Sequence, residues 1–182
     1  MQIPTRDRCF DLIQKMQMLD HIKAHSIQVC RVATALAVPL ADHPASPDLK
    51  LIQAAALLHD ITKTRSFKTG EQHAATGESL LKNMGYPEVG RIIGQHVQLE
   101  AYVSADFPTE AEIINYADKR VLHDKIVSLK ERMNYIDKRY GKSEADRKRI
   151  KNLRELTIEM ERWLFQFLPF SPGELLKEVP KI

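Results

Sequence analysis

The run Ala54-Ala55-Ala56-Leu57-Leu58 ends in His59 and Asp60, with Lys63 four residues beyond the imidazole. Ionisable groups closing an apolar segment are costly to bury unless something pairs with them. Successive residues on a helix point about 100° apart, so His59 and Asp60 reach one partner together only near a helix end. The end of the apolar run meets that condition. If the helix continues, Lys63 faces the same mouth one turn later.

The dipeptide alone carries little weight. Seven histidines and eleven aspartates in 182 residues predict about 0.4 His-Asp pairs by chance, and two occur, His59-Asp60 and His123-Asp124. Context separates them. His123-Asp124 lies in the charged stretch DKRVLHDKIVSLKER. As a helix, that stretch turns His123 about 140° away from Asp118, which reads as surface.

Other imidazoles and carboxylates share the interior setting of His59. His25 lies between Ile22 and Val29 in an apolar helical stripe. His96 follows Ile92 and Ile93 by four and three, and Asp118 stands four from both Ile114 and Leu122. Residues at these spacings share a helix face. Four inward polar groups on separate helices would each need a partner, whereas one cation satisfies them together. Neutral imidazole and carboxylate suit Fe, Mn, Co, Ni or Zn. The joint pattern points to a metal. His21 and His43 have no such setting, and His43, in a proline-rich loop, is expected to be exposed.

The elements that must position these groups read as helical. A helix spans 19–38 and ends at Pro39; Asp48 caps another running to about Asp60. Helices follow near 72–84 and 88–98, separated by Gly85-Tyr86-Pro87. Thr109 opens a long helix carrying Ile113, Ile114, Ala117, Val121 and Leu122. Beyond Gly141 comes a charged amphipathic helix over 143–167 with Trp163, Phe165 and Phe167, then an extended tail from Pro169. With no convincing strand pattern, the class is all-α. The division expected is a metal-bearing unit over 1–140, with 141–182 as a charged helix and proline-containing tail packed on it.

The order His25, His59-Asp60, Asp118 resembles the HD superfamily of metal-dependent phosphohydrolases, whose pattern is H…HD…D on a helical bundle. The likeness covers about residues 20–125. HDITK, the His73 to Gly77 stretch and Gln95-His96 are similar to the HDIGK, H-xxx-G and HH pattern of members holding two metals, such as HD-GYP phosphodiesterases and symmetrical dinucleoside tetraphosphate hydrolases. Thr62 stands where HDIGK has glycine, one histidine stands where HD-GYP proteins have two, and Gly85-Tyr86-Pro87 precedes His96 rather than following it.

The resemblance implies that His25, His59, Asp60 and Asp118 serve one divalent ion and Asp60, His73 and His96 a second. Fe or Mn is favoured; Co, Ni, Zn or Mg is also accommodated. It further implies hydrolysis of a phosphate ester in a nucleotide or small metabolite, with Asp60 catalytic and Lys63 on the substrate phosphate. A dinucleoside polyphosphate hydrolase and a regulatory metal-binding module are the alternatives.

Composition agrees with a single globular unit: 43% hydrophobic, 28% charged and a net charge of +3. That charge is too small to argue for nucleic acid by itself. The basic run DKRYGKSEADRKRIKNLR carries interspersed acids and reads as a solvated helix face. Cys9 and Cys30 make no disulfide framework, and Cys30 sits in an apolar stripe, in keeping with a reducing cytosol. No run of about 18 apolar residues could cross a membrane, and the N-terminal stretch lacks the pattern of a signal peptide. A cytoplasmic enzyme, possible as a homo-oligomer, is expected.

Overall fold

The computed structural model describes residues 2–102 and 106–180. The elements are α1 (Arg6–Lys15), α2 (Asp20–Ala37), α3 (Leu49–Leu58), α4 (Lys63–Thr69), α5 (His73–Asn83), α6 (Pro87–Gly94) and α7 (Glu110–Asp118). A hairpin of β1 (Val121–Leu122) and β2 (Lys125–Ile126) follows, then α8 (Leu129–Tyr140), α9 (Glu144–Leu164) and α10 (Leu175–Glu178). The fold is all-α apart from these two short strands.

Start signals in the sequence act as expected. Asp48 accepts from the amides of Lys50 and Leu51, satisfying donors that the first turn of α3 leaves free. Thr109 and Glu112 form a reciprocal capping box at α7, repeated by Ser128 with Glu131 at α8 and Ser143 with Asp146 at α9.

The core is built around α3, whose Ala54, Ala55, Ala56, Leu57 and Leu58 are all buried. Its small residues let neighbouring backbones come close. It packs against α1, α2, α6 and α7, while α2 also packs on α7 and α5 on α6. Gly77 serves the α5–α6 contact: a Cβ there would lie 3.1 Å from Ile93 Cδ1. α9 reaches the same core through Met160 and Leu164.

Several boundaries differ from the sequence reading. α6 stops at Gly94, so His96 stands beyond the helix end rather than inside it. α7 stops at Asp118, because Arg120 turns into a hairpin closed by Val127 N donating to Arg120 O at 2.8 Å. The apolar spacing of Val121 and Leu122 therefore belongs to a strand. His123 takes a left-handed conformation at the hairpin tip (φ 56°). It is exposed, as expected, though in a turn rather than on a helix. The tail is not simply extended: Leu175 and Val179 are buried, and Arg31 Nε donates to Pro180 O at 3.1 Å. His43 is exposed and stacks on Phe107 at 3.8 Å between ring centroids.

Candidate metal centre

α3 ends at Leu58, and residues 59–62 form a turn before α4 begins at Lys63. This break lets His59 and Asp60 point into one centre, and both side chains are fully buried. His59 Nε2 lies 3.4 Å from Asp60 Oδ2 and 3.8 Å from Asp118 Oδ1. From α2, His25 Nε2 lies 2.9 Å from Asp118 Oδ1. Opposite them, His73 Nε2 and His96 Nε2 approach Asp60 Oδ1 at 3.2 and 3.5 Å and each other at 3.1 Å. All six side chains singled out by the sequence therefore converge. Asp60 stands between two halves, Oδ2 toward His59 and Oδ1 toward His73 and His96.

Three of the imidazoles are held in one tautomer. His25 Nδ1 donates to His123 O (2.7 Å), His59 Nδ1 to Ala56 O (2.8 Å) and His96 Nδ1 to Ile93 O (2.7 Å). A carbonyl can only accept, so each Nδ1 carries a proton and each ring turns its Nε2 inward, where it offers a lone pair to a cation once no second proton is held there. Backbone partners of this kind orient metal-ligating histidines. The centre thus gathers imidazole Nε2 atoms and carboxylate oxygens, the donor types that divalent ions take. His59 Nε2 and Asp60 Oδ1 are buried without a hydrogen-bond partner. Such orphaned atoms are rare in folded proteins, and a cation answers both.

The donor atoms of His25, His59 and Asp60 lie within 4.8 Å of one another, as do those of Asp60, His73 and His96. The residues present therefore fit a divalent ion in either half. A surface hollow of about 510 Å³ lined by Arg162, Phe165, Phe170 and Glu174 shares none of these donors.

Electrostatics follow the same geometry. Burial works against charge on Asp60, yet His59, Lys63 and His73 hold its carboxyl well below the usual range. Asp118 is likewise disfavoured by burial but held low by the His25 contact and the Arg132 guanidinium. His59 is raised because Asp60 and Asp118 outweigh its burial, whereas burial prevails at His96 and lowers it.

Lys63 Nζ meets Asp60 Oδ2 at 2.7 Å with its side chain 29% exposed. It reaches this position from the first residue of α4, not along a continued α3. The hydroxyl of Thr62 donates to His73 O at 2.7 Å and so ties the start of α5 to the turn. The family's glycine is not required there, since Thr62 has φ −103°.

Sequence reasoning missed Arg132 and Lys119. Arg132 lies 3.7 Å from Asp118 Oδ1, and its buried Nε has no hydrogen-bond partner. In the sequence it is one cation among several in a charged stretch, and no local signal marks it. Lys119 is buried beside Asp118; the apolar run around Asn115 marks α7 as largely buried but does not show where the ammonium of a following lysine goes.

Comparison with known proteins agrees with this geometry. The chain is 26% identical over 144 residues to an uncharacterized protein of Methanocaldococcus jannaschii, covering 72% of this chain and 84% of that one. It is 28% and 30% identical, over 158 and 169 residues, to the tRNA (cytidine(56)-2'-O)-methyltransferases of Thermoplasma volcanium and Picrophilus torridus. These matches take in 80% and 84% of this chain but 45% and 46% of the two relatives, so the chain spans about half their length. A solved structure described as a predicted HD superfamily hydrolase from an uncultured Thermotogales bacterium shares the fold. Its TM-score is 0.51 at 22% identity, covering 91% of this chain and 95% of that one. Residues 22–121, more than half the chain and all six converging side chains, match the HD domain, and the protein belongs to that family.

Proposed function

We propose that the protein is a metal-dependent phosphohydrolase that cleaves a phosphate ester of a nucleotide or related small phosphorylated metabolite. The observation that carries this reading is the pair of orphaned buried atoms, His59 Nε2 and Asp60 Oδ1, at the centre of a cage of ligand-type side chains. His25, His59, Asp60 and Asp118 hold one ion; Asp60, His73 and His96 hold a second. Fe or Mn suits this donor set, with Co, Ni, Zn or Mg as further occupants. When bound, a divalent ion lowers the pKa of a water and offsets charge on phosphoryl oxygens.

The chain's own groups supply the remainder. Asp60 orients both halves of the cage through its two oxygens. Lys63, partly exposed on Asp60, binds a substrate phosphate, and Arg132 offers a second cation beside Asp118. Charged donors already fixed in place stabilise phosphoryl oxygens without reorganising during reaction. We take residues 1–140 as the unit that performs this chemistry and 141–182 as a helical appendage packed on it.

Both cysteines are buried free thiols, and burial pushes Cys9 up to about 12. This supports placement in a reducing cytosol. Among the described residues no helix is long and apolar enough to cross a membrane.

A second reading has its own support. The tRNA methyltransferase relatives raise an ester in RNA, rather than in a free nucleotide, as the substrate.

Metal analysis of the purified protein, with assays on mononucleotides, dinucleoside polyphosphates, an aryl phosphate and tRNA, tests these readings. Hydrolysis of a small ester that falls when Lys63→Ala or Arg132→Ala is introduced supports the first. Turnover of tRNA alone moves the substrate to RNA. Tight metal binding with no hydrolysis of any member sinks the enzyme reading in favour of a binding module.

A further inference from the structure

Lys119 is buried at the end of α7 and forms no salt bridge with a described carboxylate. Its Nζ instead meets four oxygens: Asn115 Oδ1 at 2.7 Å, Asn115 O and His96 O at 3.2 Å, and Val97 O at 3.3 Å. Asn115 Nδ2 donates in turn to Gln95 O at 2.8 Å and His96 O at 3.1 Å. Two side chains of one helix therefore take the carbonyls of three successive residues just past α6. Carbonyls just past a helix end have no donor within the helix, and where they are buried they need a partner.

A general cap would need only to satisfy these carbonyls. Here the contacts centre on His96, whose carbonyl receives both side chains while its Nδ1 is held by Ile93 O. The backbone and ring of one residue are thus fixed together, with Nε2 toward Asp60. The other half of the cage has anchors of its own: His25 is oriented by the hairpin carbonyl of His123 and His59 by Ala56 in its own turn. Asp118 is anchored by His25 and Arg132.

We propose that Lys119 and Asn115 form a clamp that positions His96 and so sets the affinity of the second ion site, made by Asp60, His73 and His96. The first site is set independently of it. This inference rests on the two-ion reading above. Lys119 is a positioning residue: it acts through His96 and touches neither substrate nor ion.

The test is titration of the metal-free full chain with Mn²⁺ alone, read by metal stoichiometry and by electron paramagnetic resonance, which distinguishes an isolated Mn²⁺ from an exchange-coupled pair. Wild type takes two ions, and His96→Ala, the reference for loss of the second site, takes one. Lys119→Met is expected to keep first-ion affinity within about threefold and to weaken the second on the order of 10–100-fold, the range for partners that orient metal ligands. Asn115→Ala shifts the second ion the same way by a smaller factor and serves if Lys119→Met does not fold. Unchanged second-ion affinity in folded Lys119→Met overturns the clamp, as does equal weakening of both ions. Unfolding of both variants makes the pair a structural cap and also overturns it. A wild type whose stoichiometry His96→Ala leaves unchanged fails differently: it removes the two-ion reading itself, and the clamp with it.

Discussion

Two clusters of buried polar groups lie on α7 or against it, and they are built on opposite principles. At the His/Asp cage, ligand-type nitrogens and oxygens converge and two buried atoms, His59 Nε2 and Asp60 Oδ1, have no hydrogen-bond partner. Beside it, Tyr116 of α7, Arg120 just past its end and Glu161 of α9 form a knot in which every guanidinium nitrogen is used. Arg120 donates from Nη1 to Tyr116 Oη (2.6 Å), from Nε to Val127 O (2.8 Å) and from Nη2 to Pro172 O (3.0 Å). Tyr116 Oη in turn donates to Glu161, and burial first of all drives its pKa upward. The knot joins α7 to the hairpin, α9 and the tail. Closed polarity of this kind holds a structure together, while polarity left open awaits a ligand.

The contrast breaks most sharply at Asp60. Asp60→Ala should drop metal content to background and turnover by at least about 1000-fold, roughly 4 kcal/mol of barrier. Metal analysis and kinetics on the folded variant check this; full activity would remove Asp60 from the site. At the knot the expected phenotype is reversed. Arg120→Met leaves Tyr116 Oη and two carbonyls without their donor, removes the ion-pair partner of Glu161, and should cost roughly 3 kcal/mol of stability while metal stoichiometry stays constant. Denaturant titration beside metal analysis decides, and loss of metal there would erase the distinction.

A milder test alters the ligand instead of the chain. Each ion at about 100 times its Kd should stabilise the fold by about 2.7 kcal/mol, a rise of roughly 5–10 °C in Tm per site that a chelator reverses. An identical melting curve with and without chelator would mean that the cage closes on nothing. Thr62→Gly restores the family's residue but removes the hydroxyl on His73 O. Thr76 Oγ1 also reaches that carbonyl, at 3.3 Å, so the loss should be only about 1 kcal/mol, roughly fivefold in second-ion affinity. Isothermal titration measures it, and stronger binding would show that the hydroxyl hinders the site. The smallest effect belongs to the other His-Asp pair. His123→Asn preserves the left-handed turn and its carbonyl, so metal content should hold and stability stay within about 0.5 kcal/mol. A clear loss of metal would show that the imidazole, rather than its backbone, serves the site.

Much of this arrangement is legible in the chain. Asp48 and Thr109 announce α3 and α7 because a short side-chain acceptor before an apolar helix has few other uses. Most of the cage residues stand out because each places a polar atom where the surrounding period demands an apolar one; His73 stands out only through its place in the family pattern. The helix ends are where pattern reading overreached. Val121 and Leu122 continue the spacing of α7, and a two-residue strand is too short to display its own period. His96 falls on the stripe of α6 although the helix has already ended.

Composition and pattern alone determined a mainly helical chain, the cage residues other than His73 and the weakness of any single dipeptide as evidence. These follow from local chemistry: propensity, capping and the cost of burying unpaired polarity act within a few turns of helix. Tertiary structure decided what Lys119 and Arg132 do, that Asp60 offers one oxygen to each half of the cage, and that the carbonyl of His123 orients His25 from 98 residues away in the chain. A lysine or arginine has the same local signature whether it meets water or a buried carbonyl, and only packing brings the two together.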